Sequence, residues 1–173
     1  AAGPGAAFRD AHAALAFAGS GDYELMGQMA NRLQNAAKRG DSFAREVILP
    51  LIQGLEAFAK ENYTEASRLM EPVFPQLVRI GGSHAQREVF EDTLLEAYIR
   101  AEQFEKAEVM LYGRLNQRES VRDTFWLGRV QSGQGRSTEA NSSFHRVVQG
   151  WRAADSGTPE ISALNKQKAA VAQ

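Results

Sequence analysis

The stretch GGSHAQREVF, which begins at Gly81, brings together the residue types of this chain that could support chemistry. Two glycines before a helix can bind an anion, because free backbone amides and the positive end of the helix dipole meet there. Ser83 beside His84 could instead supply the nucleophile and base of a catalytic pair. A third interpretation is a capping box, because Ser83 and Gln86 have the spacing at which each side chain binds the other residue's backbone amide. We favour the capping box, with Gly81 and Gly82 ending the preceding helix and one of them in the left-handed conformation.

The two chemical interpretations lack the residues that they need. No strand precedes the glycines, and neither phosphate-loop nor dinucleotide-binding spacing is present. Neighbouring residues in a first helical turn point about 100° apart, and no aspartate is placed to orient His84. His12, His84 and His145 lie in different segments without metal-ligand spacing. We therefore predict no catalytic residue, no cofactor and no metal site.

The composition excludes several classes of binding partner and several kinds of site. The formal net charge of the chain is -1, so no overall field attracts nucleic acid or an anionic membrane, and we expect neither as a partner. There is no cysteine, which excludes disulfides and Cys-ligated zinc. Apolar runs such as VILPLI are too short to span a bilayer. Because the chain begins with Ala1 rather than methionine, we interpret it as a fragment or a processed product, with a cytoplasmic location as the default expectation.

Apolar residues recur at helical spacing along nearly the whole chain, and no segment alternates apolar and polar residues as a strand does. The fold class predicted from this pattern is all-α. Short segments of residues that favour turns interrupt this pattern. They predict about eight helices, in which neighbouring helices are antiparallel and joined by short loops. Two representative stripes are Phe90, Leu94, Ala97, Tyr98 and Ala101, and Ala140, Phe144, Val147, Val148 and Trp151. The turn signals lie at 19–22, 38–41, 60–62, 81–83, 101–103, 117–120 and 132–137.

Three similar segments indicate a tetratricopeptide-like repeat, with an irregular α-bundle as the alternative. Each segment runs from a polar turn to an anchoring alanine and a large apolar residue. The anchoring alanines are Ala66, Ala107 and Ala140, spaced 41 and 33 residues apart, and the second spacing is near the repeat's period of about 34. Gly54 and Gly128 each lie 12 residues before an anchoring alanine, where a small residue lets paired helices approach closely. We predict a helical-repeat domain over 1–152, followed by a tail or capping helix over 153–173. The predicted hairpins are about 5–38, 41–80, 83–116 and 119–152.

Three prolines interrupt the helical pattern of the second hairpin. Pro50 lies inside a helix, where it removes a backbone donor and crowds the carbonyl four residues earlier. Pro72 and Pro75 act in the same way further along the chain. We expect each of these helices to bend or to begin again at its proline.

Several motifs resemble the C-terminal region of the tetratricopeptide repeat protein 38 family. A leucine-proline-leucine element occupies 49–51, the IGGSxAQR motif lies within 69–90, and DAHAAL at 10–15 is similar to an upstream element of the family. The resemblance covers roughly 8–150 and implies a right-handed superhelix, mainly cytosolic proteins and no established enzymatic activity. Members are much longer, so this chain would be the C-terminal part of a larger superhelix. It departs from the family where LNQRESVRDTFW lacks a proline and where Glu88 replaces an aspartate.

Stacked hairpins form a concave groove lined by the first helix of each pair, which suits a peptide or a partner helix. The predicted function is therefore a non-enzymatic interaction scaffold with a protein or peptide partner. An excess of arginine at one end of the groove favours an acidic or carboxylate-bearing ligand. Counting from the anchoring alanines, the groove residues are Arg87, Asp92, Glu96, Arg100, Arg122, Phe125 and Arg129.

Two other functions and one structural interpretation remain open. The chain could be the C-terminal half of a larger enzyme whose catalytic residues lie upstream. It could also be a self-assembling homo-oligomer, because end repeats without a polar cap must cover their apolar face. For any one groove residue, the structural alternative is an ordinary solvated charge.

Overall fold

Eight α-helices account for most of the chain that the computed structural model describes, namely residues 4–152 and Ser162. No strand occurs in these described residues, so the all-α prediction is confirmed. None of the described helices has the length and apolarity needed to cross a bilayer. The predicted tail at 153–173 lies outside the described residues except for Ser162. The helices are α1 (Pro4–Ser20), α2 (Tyr23–Lys38), α3 (Leu49–Ala59), α4 (Tyr63–Met70), α5 (His84–Arg100), α6 (Phe104–Gln117), α7 (Val121–Gly133) and α8 (Ser137–Gly150).

The chain divides into two compact units, Ala1–Ala101 and Glu102–Gln173. The first unit contains α1 to α5, together with a π-helical turn at Ala44–Ile48 and a 3-10 helix at Phe74–Ile80. The second unit contains α6 to α8. The boundary falls between α5 and α6, the two helices that the sequence predicted as the hairpin over 83–116.

Polar residues in the predicted turns begin the helices that follow them. The Asp22 carboxylate accepts a hydrogen bond from the amide of Leu25 at 3.1 Å, at the start of α2. The Asn62 side chain accepts one from the amide of Glu65 at 3.3 Å, at the start of α4. Such side chains satisfy amides that have no partner inside the helix. Each of the seven predicted turns lies where one helix ends and the next begins, so these predictions are confirmed.

Pro50 interrupts the α-helical hydrogen-bond pattern, as predicted. In the π-helical turn before it, the amide of Leu49 donates to the carbonyl oxygen of Ala44, five residues earlier. α3 then begins at Leu49, with Pro50 in its first turn, where a missing amide hydrogen costs nothing. The chain therefore accommodates this proline by a wider helical turn followed by a new helix.

Pro72 and Pro75 end α4 early and change the type of helix. α4 stops at Met70. The chain continues as the 3-10 helix, in which Pro75 is the second residue. A proline cannot donate the hydrogen bond that would extend an α-helix, so the tighter helix takes over. Leu77 and Ile80 of the 3-10 helix are buried, which fixes this segment to the first unit.

α3 lies at the centre of the first unit and packs against α1, α2 and α4. Gly54 on α3 faces α4, where an added Cβ would lie 3.3 Å from the sulfur of Met70 and 3.4 Å from the carbonyl oxygen of Ala66. The close approach predicted at Gly54 is therefore confirmed. The largest buried side chains of α3 are Leu51, Ile52 and Leu55.

α7 packs against both α6 and α8 in the second unit. Gly128 on α7 faces α8, where an added Cβ would lie 2.6 Å from Cε1 of Phe144. The close approach predicted at Gly128 is also confirmed. Phe125 and Val147 are buried beside it, and they form a core with the partly buried residues Val121, Trp126, Phe144, Val148 and Trp151.

Gly128→Ala should destabilise the fold, because the new methyl group would overlap the Phe144 ring, which is itself held in the core. Overpacking of this kind costs about 1–3 kcal/mol in the free energy of unfolding. Gly113→Ala on α6 is the matched control, because no atom lies within 4 Å of an added Cβ there. This variant should raise stability by up to about 1 kcal/mol, the helix preference of alanine over glycine.

Urea unfolding of the two variants and the wild type, followed by circular dichroism, checks this prediction. Shifts of the midpoint in opposite directions support the close approach of α7 and α8. A Gly128→Ala variant as stable as Gly113→Ala would show that the two helices are not in contact at this point.

Candidate functional site

The GGSHAQR stretch forms the capping box that the sequence predicted. Ser83 is the N-cap of α5, and its hydroxyl accepts a hydrogen bond from the amide of Gln86 at 3.2 Å. The amide of Ser83 in turn donates to the Gln86 side chain at 2.8 Å. Both Gly81 and Gly82 have positive φ, at 93° and 75°, where the sequence predicted only one left-handed residue. The glycines reverse the chain between the 3-10 helix and α5.

Arg87 forms hydrogen bonds within this turn. Its guanidinium donates to the carbonyl oxygen of Gly81 at 3.3 Å and also to that of Gly82. Gly82 packs so closely against Phe8 of α1 that an added Cβ would lie 2.8 Å from Cδ2 of the ring. Nη1 of Arg87 therefore holds the loop before α5, and the assignment of Arg87 to a groove stays a prediction.

The three histidines occupy unrelated positions. Nδ1 of His12 lies 2.9 Å from the carbonyl oxygen of Phe8, and the imidazole contacts the rings of Phe8 and Phe90. His84 is exposed at the start of α5, and His145 is exposed on α8. Within residues 4–152 and Ser162, no group of three or more His, Asp or Glu side chains is arranged to hold a metal ion.

The α5 surface, made of Asp92, Glu96 and Arg100 of α5 with Tyr63 of α4, contains three of the predicted groove residues. Nε of Arg100 lies 2.7 Å from a carboxylate oxygen of Glu96. The same guanidinium donates to the Tyr63 hydroxyl at 2.9 Å and lies 5.2 Å from the centre of its ring. The hydrogen bond to Glu96 raises the pKa of Arg100 above its ordinary value. The charge of Arg100 is therefore already matched, and an incoming carboxylate would compete with Glu96 for it.

The α7 surface, made of Arg122, Trp126 and Arg129, contains two more of the predicted groove residues. These three residues are spaced i, i+4 and i+7, so they share one side of the helix. The guanidinium of Arg129 lies 4.8 Å from the centre of the Trp126 ring, and both side chains are half-buried. No acidic side chain in the described part of the chain forms an ion pair or a hydrogen bond with Arg129.

Phe125 does not line a surface, and its assignment to the groove is corrected. Only 2% of its surface is exposed, and its ring contacts those of Trp126, Phe144 and Trp151 in the core of the second unit. Trp126 also packs against this core, and its half-buried ring is the aromatic part of the α7 surface. The burial of Phe125 could have been predicted from its spacing. Phe125 precedes Gly128 by three residues and therefore shares the side of α7 that faces α8.

The comparisons with known proteins give no further assignment for these surfaces. No protein-family model matches the chain, and no solved structure matches it. The tetratricopeptide type of the repeat and the resemblance to the tetratricopeptide repeat protein 38 family therefore stay predictions. The all-α hairpins and the two close glycine contacts rest on the structure itself.

Ser83→Ala should destabilise the first unit by about 1 kcal/mol, because the variant loses the N-cap of α5. Ser83→Asp keeps an acceptor at the same place and should restore most of that stability. His84→Ala should change the free energy of unfolding by less than about 0.5 kcal/mol, because His84 is exposed. Denaturant unfolding of the three variants checks these values. A loss at His84 as large as that at Ser83 would contradict the assignment of the stabilising cap to Ser83.

Proposed function

We propose that this chain is an interaction scaffold of the tetratricopeptide repeat type, and that the α7 surface binds an acidic peptide segment. The observation that carries the proposal is the Arg129 guanidinium, which is stacked on Trp126 and has no acidic partner in the described part of the chain. The helical hairpins and their small-residue contacts support the repeat type. The resemblance in the sequence points to the same class of protein.

The stack on Trp126 prepares Arg129 to recognise a carboxylate. Contact with the ring occupies one face of the planar guanidinium and leaves its edge, which carries the N–H donors, for a ligand. An arginine held in this way loses less conformational entropy on binding than a free side chain does. A partly exposed tryptophan beside an arginine is also typical of residues that contribute most to protein interfaces.

The α5 surface is a weaker candidate for the same role. Arg100 is held by Glu96 and by Tyr63, so the binding of an acidic ligand would first have to displace the Glu96 carboxylate. An arginine that keeps its own acidic partner adds little to the affinity for a second one. We therefore propose the α7 surface as the main determinant of acidic ligand binding, and the Glu96–Arg100 pair as a structural feature of α5.

A random peptide library displayed on phage and selected on the purified chain tests the proposed function. We expect the selected peptides to be enriched in Asp and Glu, and Arg129→Gln to weaken their binding about tenfold or more, the contribution of a hydrogen bond to a charged group. Fluorescence anisotropy with a labelled selected peptide gives the affinities. Higher salt should lower the affinity of the wild type more than that of Arg129→Gln, because screening acts on the charge that the variant lacks.

Arg146→Gln on α8 is the matched control, because it removes the same charge from an exposed position in the same unit. We expect it to leave peptide affinity unchanged, and Arg100→Gln to have at most a small effect. Selected peptides without acidic residues, or equal binding by wild type and Arg129→Gln, would contradict the assignment of the α7 surface. A strong loss with Arg100→Gln alone would transfer the binding site to the α5 surface.

A further inference from the structure

A second feature of the second unit lies on another side of α7, where α6, α7 and α8 enclose a cleft of about 440 Å³. This volume falls within the range of about 300–1,000 Å³ that is usual for small-molecule sites. Residues from all three helices and from the loop between α6 and α7 line it. Those that bear on its chemistry are Tyr112, Leu115, Glu119, Leu127, Gln131 and Arg146.

Gln131, which lines this cleft, is hydrogen-bonded to a second buried polar side chain, that of Ser143. Gln131 of α7 is 4% exposed and Ser143 of α8 is 0% exposed. The Ser143 hydroxyl donates to Oε1 of Gln131 at 2.8 Å, and the guanidinium of Arg146 donates to the same hydroxyl oxygen at 3.3 Å. A buried polar group costs free energy of folding unless it forms hydrogen bonds, so the partners of the Gln131 and Ser143 side chains have to be identified.

The direction of these hydrogen bonds fixes which atom of Gln131 remains available. Arg146 has only donors, so the Ser143 oxygen accepts from it, and the hydroxyl hydrogen of Ser143 is donated to Oε1 of Gln131. The amide nitrogen Nε2 is then on the other side of the carboxamide, and it has no acceptor in the described part of the chain. Because Gln131 lines the cleft, two unused N–H donors are available at the base of a partly apolar site.

The other lining residues define what could occupy the site. Leu115 of α6 and Leu127 of α7 supply an apolar surface, and the Tyr112 ring stands at the rim, 45% exposed. Glu119 lines the opposite end of the cleft beside the start of α7, so about ten residues of helix, or roughly 15 Å, separate it from Gln131. The amide nitrogen of Gln131 is therefore a donor without a partner in the described residues, and the guanidinium of Arg146, which also lines the cleft, is positively charged.

We propose that this cleft binds a small organic carboxylate with an apolar body. The carboxylate accepts hydrogen bonds from Nε2 of Gln131 and from the guanidinium of Arg146, and the body lies against Leu115 and Leu127. The site is independent of the proposed peptide-binding function, because Gln131 and Leu127 are on a different side of α7 from Trp126 and Arg129. Among the described residues that line the cleft, Glu119 is the only acidic one.

An NMR titration of the full chain with octanoate tests the proposal, with 1-octanol as the matched neutral probe. We expect saturable shifts of the Gln131 side-chain amide and of the Leu115 and Leu127 methyl groups. Octanoate should bind at least tenfold more tightly than octanol, because only the carboxylate accepts charge-assisted hydrogen bonds. Arg146→Gln should weaken octanoate binding about tenfold or more and leave octanol binding unchanged.

Arg129→Gln is the control on the other side of α7 and should leave octanoate binding unchanged. The two proposals can therefore fail separately: Arg146→Gln reports on the cleft and Arg129→Gln on the peptide surface. Equal affinities for octanoate and octanol would overturn the proposal, because they would show apolar adsorption alone. Shifts confined to residues outside the cleft, or an Arg146→Gln variant that binds octanoate as well as the wild type, would overturn it too.

Discussion

The close contact between paired helices at two glycines is the constraint on which each unit depends. At Gly54 and at Gly128 the facing helix leaves no room for a methyl group, because Met70 of α4 and Phe144 of α8 pack directly against the glycine. The large side chains that flank each contact are then buried, Leu55 beside Gly54 and Phe125 near Gly128. Two glycines thus fix both the spacing of a helical pair and the rotation of each helix about its own axis.

The rotation of α7 determines what the second unit presents to its surroundings. At about 100° per residue, Phe125 and Gln131 lie about 60° to either side of Gly128, so both point toward α8. Trp126 lies about 160° from Gly128 and therefore points away. This packing buries Phe125, brings Gln131 into the lining of the cleft and leaves Trp126 partly exposed, with the Arg129 guanidinium 4.8 Å from the centre of its ring. The two proposed sites are consequences of the same packing.

Much of the fold could be predicted from the sequence because its signals are local. The turns, the caps at Asp22, Asn62 and Ser83, and the breaks at the prolines each depend on a few neighbouring residues. The type of helix after each proline was not predicted: the chain forms a π-helical turn before Pro50 and a 3-10 helix around Pro75. The type of helix depends on how the segment packs against the rest of its unit, and the neighbouring residues in the sequence do not contain that information.

The candidate sites were predicted less well, because charge and polarity do not reveal which partners a side chain will meet. Arg87, Arg100 and Arg129 are equivalent in the sequence, yet one closes a loop, one is paired with Glu96 and one is stacked on a ring without an acidic partner. Gln131 and Ser143 were not singled out, since polar residues are exposed by default. Their burial could have been predicted from spacing. Gln131 follows Gly128 by three residues and Ser143 follows Ala140 by three residues, so they lie on the sides of α7 and α8 that face each other. A polar pair on such faces must satisfy its hydrogen bonds within the protein, and the donors that remain indicate what the site can bind.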